Sequence, residues 1–372
     1  MKEGSKMAFT RQEKQAFDYF YKGDKADIFV QNLDCYSADI YFILKYKYHL
    51  TEKTEAYFID DISYALTMQN GVYKEIVLNR QPEEEWVYDI TMTAPETDRY
   101  EAIKKLVEEQ DFVMVETYCH RLKSSFLYTR EDEYYNPNFD KTRRDHCFMV
   151  IDYDEEGLHI VDEEILVKAE YLEKICPNKS IYHMKKERIL PALDAMCNLY
   201  TVTLKQERIE KNLSEDFFIG LLKRTYENYQ RDEYQREGIT YYPGIKGLKK
   251  LLELIEQDNL PLEEKTDKEG TMDLKGMQNV IGDLTWKLWC IEQKRFVLIE
   301  SMKWRKEERF ASFKKMLKKN FRIWNKLRSE LLEERETKKK KMEADKVILL
   351  KNLIESEELL IQEMESFIKN RK

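Results

Sequence analysis

The chain has 372 residues, of which 42% are hydrophobic and 36% charged, with a formal net charge of −8. That charge density excludes a membrane-embedded protein: no apolar run reaches the about 18 residues a spanning helix needs. The length suits two domains or one large one.

The N-terminal stretch MKEGSKMAFTRQEK has no apolar segment of signal-peptide type, so a cytoplasmic protein is expected. Cys35, Cys119, Cys147, Cys176, Cys197 and Cys290 form no CxxC pair and have no regular spacing. In such a chain they read as free thiols, neither a disulfide framework nor a zinc site. No GxGxxG, P-loop, HExxH or EF-hand pattern occurs, so neither cofactor nor metal is expected. His49, His120, His146, His159 and His183 are the possible imidazole bases.

In chain order, FVQNLDCYSADIYFILK (29–45) comes first. It passes from an extended run into a helix whose apolar positions include Ile40, Ile43 and Leu44. Asp34 or Asn32 supplies the N-cap, which places Cys35 in the first helical turn. EWVYDITMT (85–93) and DFVMVETYCHRL (111–122) are rich in β-formers and predict strands. HCFMVIDY (146–153) and LHIVDEE (158–164) flank an acidic turn ending in Gly157, the pattern of a β-hairpin. The polar, aromatic stretch 124–145 predicts a long surface loop, with EDEYY (131–135) and NPNFD as a possible lid.

From about Lys186 the grammar becomes helical, punctuated by Pro191, Pro243 and Pro261. Ser214 caps LSEDFFIGLLKRTYENYQ. IKGLKKLLELIEQ keeps Leu248, Leu251, Leu252 and Ile255 on one side. Neither Gly nor Pro occurs after Gly282, which predicts helix from Asp283 to Asn370 with a break near 334–345 and the last two helices antiparallel. Trp286 and Trp289 read as core. Residues 303–341 carry 16 Lys+Arg against 6 Glu; a solvated helix face is the default reading. Docking of an acidic partner comes second, and nucleic-acid binding is disfavoured by the interspersed glutamates. The domains expected are 1–185 and 186–372.

The first half also suggests chemistry. A thiol in the first turn of a helix lies near unpaired backbone N–H groups and the positive end of the helix dipole, which favour an anion. His146 opens one strand of the hairpin and Asp162 ends the other, so the two side chains can meet at one end of the sheet. A carboxylate there fixes the tautomer of an imidazole base. His159 stands mid-strand near Asp162, and Cys119 and His120 read as structural.

DCYSADIYFIL resembles the nucleophile helix of C39-type peptidases, and HCFMVIDYDEEGLHIVDEE resembles their His-strand, turn and strand-Asp element. The nearer resemblance is to the family of the butirosin-biosynthesis acyltransferase. It is carried by DYDEEGLHIVDEE, ILVKAEYLEKI and YYPGIKGLKKLLELI, and extends in outline over residues 25–260. The resemblance implies an α+β chain: a papain-like cysteine-enzyme domain, then a mostly α-helical domain with long C-terminal helices. It implies a cysteine acyltransferase of natural-product biosynthesis that takes an acyl group from an acyl carrier protein, or another thioester donor, and passes it to an amine.

Carried over by residue, Cys35 is the nucleophile, His146 the base and then acid, and Asp162 the orienting carboxylate. The Cys35 backbone N–H would serve the oxyanion, with the Gln31 or Asn32 side chain as weaker candidates. C39-type peptidases usually have Gln six residues before the cysteine, where this chain has Phe29. No nucleic acid or membrane partner is expected, and a homo-oligomer through the C-terminal helices is possible. The competing readings are a thiol hydrolase or C39-like peptidase, and a non-catalytic interaction protein that keeps the fold.

Overall fold

The computed structural model describes residues 29–118, 145–162, 173–174, 181–257, 283–305, 308–336 and 344–369. Helices and antiparallel sheets are mixed along the chain, an α+β arrangement. The contacts divide it into two units: residues 1–54 with 88–205, and residues 55–87 with 206–372. Among the described residues no helix is long and apolar enough to cross a membrane.

The first unit is built on a sheet in the order β3-β9-β4-β5-β6-β8-β7. Its strands are β3 (Tyr88–Thr93), β4 (Val113–Tyr118), β5 (Asp145–Tyr153), β6 (Gly157–Val161), β7 (Glu173–Lys174), β8 (Ile181–Lys185) and β9 (Asn198–Leu204). Every pairing is antiparallel. Two-residue alternation sends Val113, Val115, Phe148, Val150, Leu158 and Ile160 to one face. There they form a core with Tyr100, Ile103 and Val107 of α2 (Arg99–Gln110) and Ile189, Ala192 and Leu193 of α3 (Lys186–Ala195). Each such aliphatic side chain, buried completely, stabilises the fold by about 1.5–3 kcal/mol before the entropy of ordering it is subtracted. Pro191 sits inside α3 rather than ending it.

Helix α1 (Cys35–Tyr46) packs on β5 and β9. It is buried without a break from Ala38 to Leu44, so it has no solvated stripe and a weak amphipathic pattern. Its start is fixed chemically: the Asp34 carboxylate accepts from the Ser37 backbone N–H at 2.8 Å and from Ser37 Oγ at 3.0 Å.

The hairpin of β5 and β6 is held by local rules at its turn and by a neighbour at Gly157. Asp154 Oδ1 accepts from the backbone N–H groups of Glu156 and Gly157, closing the turn as an Asx motif does. A Cβ on Gly157 would lie 2.2 Å from the Met184 carbonyl oxygen on β8, so the close approach of the third strand demands glycine here.

The second unit contains a sheet in the order β10-β11-β1-β2, from β1 (Tyr64–Gln69), β2 (Val72–Leu78), β10 (Tyr234–Arg236) and β11 (Ile239–Pro243). Both hairpins turn on two residues with positive φ, Asn70-Gly71 and Glu237-Gly238, as a type I′ turn requires. Helices α4 (Gln206–Leu213), α5 (Glu215–Gln230), α6 (Gly244–Glu256), α7 (Asp283–Ser301), α8 (Arg309–Glu336) and α9 (Ala344–Lys369) complete the unit. Ser214 caps α5, its Oγ accepting from the Phe217 N–H at 3.2 Å. In α6 the buried residues include Leu248, Leu251 and Leu254, with Leu252 and Ile255 half-buried.

Asn320 and Trp324 of α8 meet Glu357 of α9, while Phe313 meets Phe367, so α8 and α9 run antiparallel. Their shared centre is an ion pair. The Arg295 guanidinium and the Glu357 carboxylate, both fully buried, approach to 2.6 Å, and Tyr229, Asn320 and Trp324 satisfy the rest of the carboxylate.

Several expectations differ from this. A 3-10 turn, Met302–Trp304, interrupts the run of helix after Asp283. Trp286 is 42% exposed, so it is not core; it stacks at an angle on half-buried Trp289. Strands β9, β10 and β11 fall in the stretch whose pattern reads as helical. β9 and β11 find partners far away in sequence, in β3, β4 and β1, while β10 and β11 are short runs joined by the Glu237-Gly238 turn. Lys315, Lys318, Lys319, Arg322 and Lys326 are exposed on α8, opposite buried Phe313, Leu317, Trp324 and Leu327, which is a solvated face. Of the expected loop 124–145 only Asp145 is described, in β5; the rest of it with the expected lid, and Cys119, His120, Cys176 and residues 337–343, lie outside the described residues.

Candidate functional site

Cys35 is the first residue of α1 and half-buried. A residue in that position has no intrahelical acceptor for its backbone N–H. The thiol hydrogen-bonds with the His146 side chain and takes a backbone hydrogen bond from Cys147. His146, near the start of β5, is 3% exposed, and Asp162, one residue beyond β6, is 4% exposed. His146 Nε2 and Asp162 Oδ1 are 2.8 Å apart. With Nε2 engaged by the carboxylate, Nδ1 is the nitrogen left for the sulfur.

The register explains the meeting. β5 and β6 pair with Met149 opposite Val161, which sets Asp162 diagonally across from His146 at the same end of the hairpin. Such diagonal neighbours lie roughly 7–8 Å apart at the backbone, within reach of an imidazole and a carboxylate.

The electrostatics oppose the simple dipole argument. Burial pushes the Cys35 thiol up; its hydrogen bond and charge interaction with His146 pull it down, and the Asp34 carboxylate pushes it up again. The net direction is upward, so the resting sulfur is a protonated thiol. The cap that builds the helix start also places a negative charge beside the sulfur. Cys147 is held higher still, first by burial and then by Asp39, so it is the less ionisable of the two thiols.

Beside Cys35 lies a network that the sequence reading missed. Glu116 on β4 accepts from Asn198 Nδ2 at 2.7 Å and from the Tyr200 hydroxyl at 2.6 Å. The Tyr36 hydroxyl donates to Tyr200 at 3.3 Å. Burial and the Glu116 carboxylate hold the Tyr36 hydroxyl far above its ordinary range, so it stays protonated. The signal is absent from local sequence, because β4 and β9 pair Glu116 with Asn198 across a long separation.

Of the weaker candidates, Asn32 is half-buried in the 3-10 turn Val30–Asn32. Gln31 lies in the same turn, and its side chain falls outside the described residues. His159 is not beside Asp162. Its Nε2 lies 3.0 Å from Asp154 at the opposite end of the hairpin, because residues 159 and 162 alternate to opposite faces. No protein-family model matches the chain, and no curated protein matches it.

Proposed function

We propose that the chain is a cysteine-dependent acyltransferase of natural-product biosynthesis, with a papain-like first unit and an acyl-Cys35 intermediate. The contact chain of Cys35, His146 and Asp162 is the observation that carries this reading. Nucleophile, base and orienter stand within hydrogen-bond reach in the order that acyl transfer needs. The helix-then-antiparallel-sheet placement of these residues supports the papain-like part.

His146 takes the Cys35 proton as the sulfur attacks the carbonyl carbon of a thioester. The oxyanion of the tetrahedral adduct faces the Cys35 backbone N–H. Collapse breaks the bond to the donor sulfur, which leaves with the proton from His146. The acyl group now sits on Cys35. An amine attacks it, His146 accepts the amine proton, and the second collapse releases an amide while the proton returns to the Cys35 sulfur. Asp162 holds one imidazole tautomer throughout and stabilises the imidazolium between steps. A thioester exchanged for a thioester is nearly balanced in energy, and the amide product makes the second half favourable.

The raised thiol pKa fits this sequence. A protonated resting thiol forms thiolate only when the imidazole takes its proton, so the sulfur is activated within the attack. An acidic carrier protein as donor suits the exposed lysines and arginine of α8.

The test is intact-mass analysis after incubation with an acyl thioester such as acyl-N-acetylcysteamine. The expected result is a single acyl adduct, absent in Cys35→Ala, that persists in buffer and decays on addition of amine. Decay in buffer alone assigns a hydrolase instead, and no adduct on the wild-type chain removes the enzyme reading.

A further inference from the structure

We propose that Asp154, His159 and His183 form a binding site for one divalent transition-metal ion of the Zn²⁺ type, at the turn end of the β5–β6 hairpin. His159 on β6 and His183 on β8 are directly opposite each other in the antiparallel register. Directly paired residues hold their Cβ atoms about 4.5–5.5 Å apart on one face. That face is opposite the α2–α3 core, because the neighbouring Leu158, Ile160, Tyr182 and Met184 all point into the core.

Both imidazoles aim the same nitrogen at one carboxylate. His159 Nε2 is 3.0 Å from Asp154 Oδ2, and His183 Nε2 is 3.2 Å from Asp154 Oδ1. The three donor atoms lie within 4.8 Å of one another. Ligands bound at the about 2.0–2.2 Å typical of Zn²⁺ with His and Asp sit roughly 3.3 Å apart around a tetrahedral ion, so the observed separations approximate the edges of such a site. Two imidazoles and one carboxylate favour a borderline ion over Mg²⁺ or Ca²⁺, which select oxygen donors.

The surroundings orient these ligands. Asp154 Oδ1 is fixed by the backbone N–H groups of Glu156 and Gly157, at 2.8 and 2.9 Å. Asp152 pairs in register with His159, and its Oδ2 is 3.8 Å from His159 Nδ1. When Nε2 of His159 binds the ion, its proton resides on Nδ1, facing the Asp152 carboxylate. This is the outer partner that metal-bound imidazoles ordinarily have. The side chain of Asp154 is 46% exposed, His159 18% and His183 10%, so water reaches a fourth position.

The ion would tie β8 to the turn end of the hairpin, where Asp154 lies roughly 25 Å along β5 from His146 and His159 roughly 10 Å along β6 from Asp162, at 3.2–3.4 Å per residue. It is a clamp on the hairpin rather than a reactant.

The test uses the full chain, stripped with EDTA and titrated with Zn²⁺ by calorimetry and with Co²⁺ by visible absorption. One equivalent of Zn²⁺ is expected to bind and to raise the melting temperature, and a large excess of Mg²⁺ should leave it in place. Asp152→Asn is expected to weaken binding about 10-fold, and His183→Ala by more than about 100-fold, beyond the range of an outer-shell change. Asp154→Asn keeps the shape of an exposed turn residue and should also lose the site, which covers the case in which His183→Ala does not fold. The Co²⁺ adduct should lack intense sulfur-to-metal bands. Those bands, together with binding lost in Cys35→Ala, would assign the ion to Cys35 and His146 and overturn the proposal. So would binding that both Asp154→Asn and His183→Ala leave unchanged, or no binding at all.

Discussion

Asp34 caps the helix that Cys35 begins, and the same carboxylate raises the pKa of the thiol beside it. Two needs of one helix start conflict here: a cap that secures the first turn and a positive field that would favour thiolate. Asp34→Asn separates them, since Asn is an equally good cap without the charge. The variant should keep its melting temperature within a few degrees. Its Cys35 should alkylate faster with iodoacetamide at pH 7, with the rate inflection moved to lower pH. An inflection that stays in place would remove the electrostatic role of Asp34.

The pH profile of the wild-type thiol has a defined sign. Burial raises the folded-state pKa of Cys35 above the ordinary thiol value, so the protonated thiol is the form that folding favours. The associated stability is present below the unfolded thiol's pKa and is lost as pH rises through the folded one. Cys147, raised further, acts in the same direction. Denaturation midpoints should therefore fall on the alkaline side of about pH 8.5, and less steeply in Cys35→Ser. His146→Ala removes the interactions that lower the Cys35 pKa, so its alkylation inflection should move further up. An inflection for wild-type Cys35 in the acidic range would contradict the protonated resting thiol.

Asp162 orients His146 and is itself buried. Asp162→Asn should leave the fold intact and reduce acyl transfer by roughly 10²-fold or more, the range of general acid–base catalysis. Asp162→Ala adds a structural cost of about 1–3 kcal/mol for the buried imidazole nitrogen that loses its carboxylate. Single-turnover acylation followed by mass spectrometry measures the first effect, and urea denaturation the second. Near-wild-type acylation in Asp162→Asn would show that the carboxylate is only structural.

Gly157→Ala tests the sheet rather than the chemistry. The added methyl meets the Met184 carbonyl oxygen at 2.2 Å, and backbone on both sides resists movement. A loss of about 1–3 kcal/mol is expected, as in other overpacked sites, with weaker hydrogen-exchange protection on β6 and β8. Unchanged protection would mean that the strands separate at no cost.

In the second unit, Glu357→Ala leaves the fully buried Arg295 guanidinium without its counter-charge. Breaking one partner of such a pair costs about 3–5 kcal/mol, which equilibrium denaturation reads directly. A loss below about 1 kcal/mol would show that Tyr229 and Asn320 suffice for the guanidinium.

The first unit's hairpin and its two polar ends were legible for different reasons. HCFMVIDY and LHIVDEE are strand-length runs of β-formers on either side of an acidic turn, so β5, β6 and the proximity of His146 to Asp162 follow from that spacing. The N-cap and the position of Cys35 follow from local hydrogen bonding, which depends on residues within one turn. The β1–β2 hairpin carries one local signal, the Asn70-Gly71 turn, between strands of six and seven residues of which β2 is mostly half-exposed. The direction of the Cys35 pKa was misjudged: the helix dipole is local, whereas burial depends on everything packed around the sulfur.

Sequence by itself determined what sequence neighbours decide: the cap at Asp34, the turns, the helical face of α6 and the register of adjacent strands. Tertiary structure alone decided which distant strands lie side by side. It paired β4 with β9, bringing Glu116 to Tyr200, and β6 with β8, bringing His159 to His183. It also joined residues 55–87 to the C-terminal helices. Pairing between strands far apart in the chain is selected by the burial of whole faces at once, a cooperative quantity that no short window of residues contains.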